Sequence, residues 1–157
     1  MKKKTYTVEE AQRALERYCA YRERTHKEVW QKLEKMGMIP VASEQIITAL
    51  IQHDFLNETR FAKAFVSGKF RINHWGKIKI KNALLQKGVS APNIKTGLSD
   101  IDPEAYRQVL RQLIEKQFPK IKAQNDYEKK QKLVRYLWQK GFEMDLIQEV
   151  LGELFEI

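Results

Sequence analysis

The residues of this chain that could do chemistry are mostly cations, and they are concentrated in one stretch. Between Thr59 and Ser99 the chain has nine Lys and Arg residues and no Asp or Glu. The whole chain has 29 basic and 20 acidic residues, so the remainder is balanced and the net charge of +9 belongs to this stretch. Such a field favours nucleic acid, an acidic protein surface or an anionic membrane as partner. The nine cations are Arg60, Lys63, Lys69, Arg71, Lys77, Lys79, Lys81, Lys87 and Lys95.

Metal and catalytic chemistry have less support in the sequence. A zinc site needs about four convergent ligands, usually in close sequence pairs. The three histidines are far apart, and no cysteine lies near them: His26, His53 and His74. Gly76 and Lys77 resemble the end of a phosphate loop, but Arg71 stands where that motif requires glycine. We therefore expect a binding protein without cofactors or metals, and not an enzyme.

Helix-start signals and apolar spacing predict an all-α chain. Thr7 and Glu10 fit the capping box, in which a hydroxyl and a carboxylate each accept a backbone amide. Thr25 and Glu28 repeat that pattern, and Asp102 precedes a proline at the first helical position. No segment alternates apolar and polar residues as a half-buried strand does. The predicted helices begin near Thr7, Thr25, Pro40, Asn57, Lys77, Ser90, Asp102, Asp126 and Met144.

An internal repeat organises these helices. When the helix-terminating glycines are aligned, leucine falls four residues before each of them, and apolar residues match at four further positions. This agreement indicates three tandem three-helix repeats whose apolar faces are buried partly by neighbouring copies, in an elongated, curved array. The predicted repeats are 1–56, 57–100 and 101–157. The glycines are Gly37, Gly88 and Gly141, and the leucines are Leu33, Leu84 and Leu137.

The remaining composition predicts a cytoplasmic protein. The single cysteine, Cys19, has no partner for an intrachain disulfide, and the first residues lead into a polar helical pattern and not into an apolar signal. No apolar run approaches the roughly 18 to 20 residues that a membrane span requires. We therefore expect no membrane association.

Two interpretations of the basic stretch remain open at this level. The cations could simply form solvated helix faces, but the stretch lacks the acidic partners that other helices have at Glu28 and Lys32, and at Glu128 and Lys132. That lack favours an anionic partner. Trp75, in the predicted turn before the fifth helix, is either a buried plug at the helix junction or an exposed stacking platform.

Several segments of the chain resemble the RecX family, the regulators of the RecA recombinase. The likeness lies in Phe55–Lys77, in Leu84–Ser90 and, near the start, in Tyr21–Thr25 and Leu33–Gly37. The resemblance implies an all-helical crescent of three three-helix repeats that lies in the groove of the RecA–DNA filament and limits ATPase and strand-exchange activity. Recombination, DNA repair and the SOS response would be the processes affected. The family often has Asp where this chain has Glu58, so a contact that needs the shorter side chain is in doubt.

The partners implied are the RecA filament and single- or double-stranded DNA, bound directly or through RecA by a monomer. Two alternatives remain: a helical-repeat protein that binds DNA directly, and an assembly scaffold without a polyanion. The family-like positions include Arg22, Arg24, Arg60, Phe61, Trp75, Gly76 and Lys77. Combined with the basic stretch, they give a predicted partner-binding or DNA-binding set of Arg22, Arg24, Arg60, Lys63, Lys69, Arg71, Trp75, Lys77, Lys79 and Lys81.

Overall fold

The computed structural model describes residues 4–155, and within that range all regular secondary structure is helical. The predicted all-α fold is therefore confirmed. The helices are α1 (Val8–Tyr21), α2 (His26–Lys35), α3 (Pro40–Gln52), α4 (Glu58–Arg71), α5 (Lys77–Gln86), α6 (Ala91–Ser99), α7 (Pro103–Gln117), α8 (Asp126–Gln139) and α9 (Met144–Phe155), with a 3-10 helix at Phe118–Lys120 after α7. Within the described residues, no helix is long and apolar enough to cross a membrane.

The N-terminal caps follow the sequence signals with one correction. At α1 the Thr7 hydroxyl accepts from the amide of Glu10, and the Glu10 carboxylate accepts from the amide of Thr7, so the capping box is confirmed. At α2 the Thr25 hydroxyl accepts from the amide of Glu28 at 3.0 Å. The Glu28 carboxylate, however, forms an ion pair with Arg22 at 3.2 Å. The second capping box is thus only half formed, because a cation competes for the carboxylate.

The two ion pairs predicted within helices have different outcomes. Lys132 lies 3.5 Å from the Glu128 carboxylate, so this pair is confirmed. Lys32 instead places its ammonium over the ring of Tyr18, 5.7 Å from the ring centroid, and the predicted pair with Glu28 is wrong. Glu28 instead pairs with Arg22 at 3.2 Å and with Arg24 at 3.7 Å.

The aligned glycines end their helices in the same way. Each adopts a positive φ, of 81° at Gly37, 80° at Gly88 and 99° at Gly141. In each turn the amide after the glycine donates to the carbonyl of the aligned leucine, which is 0% exposed in all three copies. This is the Schellman arrangement, which satisfies the last helical carbonyls. The bonds are Met38 to Leu33 at 3.0 Å, Val89 to Leu84 at 3.1 Å and Phe142 to Leu137 at 3.2 Å.

The described residues fall into two compact units. Of the described residues, the first unit contains 4–64 and 84–97, and the second contains 65–83 and 98–155. Helices α4, α5 and α6 are therefore each divided between the two units. These units are defined by spatial contacts and not by repetition, so the repeat boundaries 1–56, 57–100 and 101–157 stay a prediction.

Each unit has its own apolar core. In the first unit, α1, α2 and α3 pack together around side chains such as Leu15, Leu33 and Ile46, all of which are 0% exposed. In the second unit, α7, α8 and α9 pack together, and the Tyr106 ring stacks between Phe70 and Phe142 with ring centroids 5.8 and 5.2 Å away. These cores are the fixed supports from which the basic side chains project.

Candidate anion-binding site

Two lysines of the basic stretch rest on one tryptophan in the second unit. The Lys69 ammonium lies 4.8 Å from the Trp75 ring centroid, and the Lys79 ammonium lies 4.5 Å from it. Such cation–π contacts are worth about 0.5–1 kcal/mol each at exposed sites. Trp75 is half-buried, so it is neither a fully buried plug nor an open platform. Both ammonium groups therefore contact the same ring.

A third lysine joins this cluster from the end of α8. The Lys140 ammonium donates to the backbone carbonyl of Asn73 at 2.7 Å. The pKa of Lys140 is lowered, first by burial and then by the positive charge of Lys79. We call Lys69, Trp75, Lys79 and Lys140 the lysine–tryptophan site. An anion placed there would relieve the repulsion between Lys79 and Lys140.

Sequence reasoning missed Lys140, although the repeat contained a signal for it. Lys140 directly precedes Gly141, and Lys87 directly precedes Gly88. Aligning the glycines therefore places a lysine of the third repeat at the position of a lysine in the basic stretch. The charge count did not reveal it, because the third repeat is balanced overall.

A close approach of two glycines brings the elements of the site together. The amide of Gly76 donates to the carbonyl of Lys140 at 2.7 Å, and the amide of Ile78 donates to the carbonyl of Gly141 at 3.0 Å. A Cβ on Gly76 would lie 2.3 Å from the carbonyl carbon of Gly141. Only glycine at position 76 permits this contact, because real Cβ atoms do not come so close to backbone. The contact fixes Lys140 beside the start of α5.

Lys77 is held differently from its neighbours. Its amide donates to the Tyr106 hydroxyl at 2.9 Å, and its ammonium lies 4.8 Å from the centroid of the same ring. The Tyr106 hydroxyl in turn donates to the Glu143 carboxylate through a short hydrogen bond. Burial, followed by this bond to Glu143, raises the pKa of Tyr106, which therefore remains a donor. Lys77 is half-buried and anchors the first turn of α5.

Three other predicted cations have exposed side chains. Lys63 and Arg71 project from α4, and Lys81 projects from α5. Within residues 4–155 none of the three forms an ion pair with a carboxylate. In that part of the chain, no direct carboxylate contact therefore balances their charges. The hypothesis that the basic stretch binds an anionic partner requires such unbalanced charges.

Arg60 is engaged within the first unit. Its Nε donates to both carboxylate oxygens of Glu23, at 2.6 and 2.8 Å. Its two Nη atoms donate to the carboxylate and the carbonyl of Asp54, at 3.1 and 3.0 Å. The hydrogen bond to Glu23 is the main reason that the pKa of Arg60 is raised. Arg60 therefore connects α4 to the end of α1 and to the loop after α3, and its role in partner binding stays a prediction.

Arg22 and Arg24 also contribute to the structure of the first unit. Arg24 is 8% exposed, donates from Nε to the carbonyl of Tyr18 at 2.9 Å and stacks 3.6 Å from the centroid of that ring. Arg22 is more exposed and pairs with Glu28 at 3.2 Å. Both arginines thus fix the turn between α1 and α2, because Arg24 also lies 3.7 Å from Glu28.

Glu58, the departure from the family pattern, has a structural position as well. Its carboxylate accepts from the amides of His26 at 3.4 Å and Ser90 at 3.3 Å. These amides stand at the starts of α2 and α6, where negative charge is favourable. The longer glutamate therefore supports two helix starts.

In the described part of the chain, no group of three or more His, Cys, Asp or Glu side chains could hold a metal ion.

The fold and the site define a helical-repeat protein that presents cations supported by aromatic rings. Residues 57–98 match the second three-helix domain of RecX, and residues 104–151 match the third. The chain belongs to the RecX family. The predicted membership and the predicted helical-repeat fold are both confirmed.

Individual relatives agree with this assignment. The chain is 35% identical to the regulatory protein RecX of Clostridium acetobutylicum, over 84% of this chain and 63% of that protein. It is 32% identical to the regulatory protein RecX of Chlorobium phaeobacteroides, over 88% of this chain and 89% of that protein. The crystal structure of RecX from Lactobacillus salivarius superimposes with a TM-score of 0.88 at 26% identity, over 96% of this chain and 97% of that one. The chain thus spans less than two thirds of the first of these relatives but most of the other two.

Proposed function

We propose that this protein inhibits the RecA recombinase by binding in the groove of the RecA–DNA filament, and that it thereby modulates recombination and DNA repair. The observation that carries the proposal is the lysine–tryptophan site, where within residues 4–155 none of Lys69, Lys79 and Lys140 forms an ion pair with a carboxylate. A filament groove lined by phosphates and acidic side chains supplies the complementary charge. Membership in a family of regulatory proteins supports the same conclusion.

Inhibition would follow from bridging neighbouring RecA subunits. A ligand that binds one arrangement of the filament more tightly than another shifts the equilibrium toward that arrangement. A helical array that spans several subunits would oppose the subunit motions that ATP hydrolysis and strand exchange require. We place this activity in the cytoplasm and assign it to a monomer of three tandem repeats with boundaries at 1–56, 57–100 and 101–157.

The direct test measures RecA ATPase activity on single-stranded DNA with increasing amounts of this protein. The wild-type protein should slow hydrolysis, and the double variant Lys69→Glu/Lys79→Glu should need about tenfold more protein for the same effect. The matched control is Lys120→Glu/Lys122→Glu, which changes the net charge equally at two exposed positions outside the site. Unchanged hydrolysis at saturating wild-type protein would end the proposal.

The second candidate function is direct binding to DNA. Trp75 with its lysines resembles the pairing of aromatic and basic side chains in single-strand binding proteins, and three-helix units resemble helix-turn-helix modules. A gel shift without RecA separates the two functions. If the lysines hold phosphates directly, the same double variant should reduce the slope of log affinity against log salt by about 1.5. Absent or weak binding to naked DNA would favour the filament.

A further inference from the structure

A groove runs along the outside of α8 and α9, within the second unit, and the proposed function does not use it. Its volume is about 930 Å³. One side is a stripe of α8 that includes Tyr127, Val134 and Trp138, and the other is a stripe of α9 that includes Met144 and Leu151. These positions recur at helical spacing, so each stripe is one continuous helix face.

The apolar side chains of the groove are unusually open to solvent. Tyr127 is 72% exposed, Trp138 is 49% exposed and Met144 is 40% exposed, while Leu151 forms a floor at 3% exposure. An exposed apolar patch with a buried floor is typical of a surface that receives another molecule. Met and Trp are well suited to this task, because Met adapts its shape and Trp supplies a large contact area.

Gly152 leaves space in the same groove. A Cβ at Gly152 would meet no atom within 4 Å, whereas one at Gly76 would collide with backbone. Glycine inside a helix costs about 1 kcal/mol relative to alanine. No packing within the described chain accounts for that cost at Gly152, which lies inside α9 and lines the groove. Gly68 in α4 has the same open space without lying in the groove, so the open position at Gly152 supports a guest only together with the apolar lining around it.

The charges around the groove are of one sign. Lys130 and Arg135 line it, and among the residues that the structure describes no Asp or Glu does. Five residues correspond to about 140° around a helix, so the two cations lie on opposite edges of the α8 stripe. On α9 the carboxylates of Glu149 and Glu153 pair instead with Arg107, at 3.3 and 2.5 Å. Glu149 and Glu153 therefore engage α7 and do not line the groove.

We propose that this groove binds an acidic amphipathic helix of a partner protein. The stripe from Tyr127 to Trp138 extends about three helical turns, which matches a short helix presenting apolar anchors at positions i, i+3 or i+4, and i+7. Carboxylates flanking those anchors would meet Lys130 and Arg135. Tyr127 and Trp138 could stack with bases, but the floor at Leu151 and the wall at Val134 are aliphatic, and the aliphatic anchors of a helix fill such a surface better than a base does. The proposal does not depend on RecA or on the lysine–tryptophan site.

The test uses a fluorescein-labelled amphipathic peptide of about 15 residues, with Leu and Phe at the anchor positions and Glu elsewhere. A second peptide has Lys in place of every Glu. Fluorescence anisotropy should show that the wild-type protein binds the acidic peptide at least about tenfold more tightly than the basic one. Gly152→Leu, which fills the groove, should weaken binding of the acidic peptide by about tenfold or more.

Gly68→Leu is the matched control. Gly68 also lies within a helix and has no atom within 4 Å of its Cβ position, but it does not line the groove. The Gly68→Leu variant should bind the acidic peptide with the same affinity as the wild-type protein. Equal binding of both peptides, or no effect of Gly152→Leu, would overturn the proposal. The proposal would also be overturned if the acidic peptide did not bind and Gly152→Leu instead abolished self-association of the protein. The same holds if Gly152→Leu abolished binding of a single-stranded oligonucleotide while the peptide did not bind.

Discussion

Replacing Gly76 with alanine tests whether the two-glycine contact positions the site. The new methyl carbon would lie 2.3 Å from the carbonyl carbon of Gly141, 2.4 Å from its oxygen and 2.4 Å from the amide nitrogen of Phe142. All three atoms are backbone, so no change of rotamer can relieve the overlap. The chain would have to separate α5 from the turn after α8, and two backbone hydrogen bonds span that junction.

The expected loss of stability combines two costs. Each hydrogen bond contributes about 1 kcal/mol, and displacement of packed backbone costs about 1–3 kcal/mol. The reduced freedom of alanine in the unfolded chain returns about 0.7 kcal/mol. The net decrease in the free energy of unfolding is therefore about 2–4 kcal/mol. For a chain of this length it corresponds to a fall in Tm of about 5–15 °C.

Circular dichroism melts of Gly76→Ala and Gly68→Ala make the test sharp, because the two variants should change Tm in opposite directions. Gly68 lies inside α4 with open space around its Cβ position, so alanine there should stabilise the protein by about 1 kcal/mol through helix propensity. A Tm of Gly76→Ala equal to or above that of the wild type would refute the close packing of the two glycine turns. It would also remove the basis for placing Lys140 beside Lys79.

Two further predictions concern the first unit. Arg60→Ala should lower the free energy of unfolding in urea by only about 1 kcal/mol, because the Arg60 side chain is 39% exposed and solvent screens its ion pairs. If Arg60 also contacts the partner, RecA inhibition by Arg60→Ala should fall by more than this small loss of stability explains, and inhibition equal to that of the wild type would limit Arg60 to a structural role. For Cys19, burial raises the pKa to about 11. The thiol should therefore react slowly with a disulfide reagent at pH 8, and the rate should rise about tenfold per pH unit up to pH 10. A plateau near pH 9 would contradict the raised pKa.

The helices could be predicted from the sequence because their signals are local. The Thr7 capping box, the Asp102 cap and the helix-ending glycines each satisfy backbone groups within a few residues, and the structure contains all of them. The aligned leucines and glycines were also visible in the sequence. In the structure the turn after Leu33 and the two matching turns form the same hydrogen bond. Local geometry and apolar spacing together specify such a chain without knowledge of distant contacts.

The partners of the charged residues could not be predicted in this way. Arg60 pairs with Glu23 in the turn between α1 and α2, and Lys140 pairs with the carbonyl of Asn73, 67 residues earlier in the chain. A count of charges along the sequence treats Arg60 and Lys69 alike, although one is paired with carboxylates and the other lies over Trp75. Spatial proximity depends on tertiary packing, which one sequence without aligned relatives does not reveal.

The groups that contact each cation distinguish the basic residues that stabilise the fold from the basic residues that are available to a partner. Arg22 and Arg60 are held by carboxylates, which cancel their charge. Lys69, Lys77 and Lys79 are held by aromatic rings, which fix the position of an ammonium group and leave its net charge intact. A surface that must attract an anion needs cations that are ordered but not neutralised. Aromatic support meets both conditions, so the rings beneath the lysines are as necessary to the proposed binding as the lysines themselves.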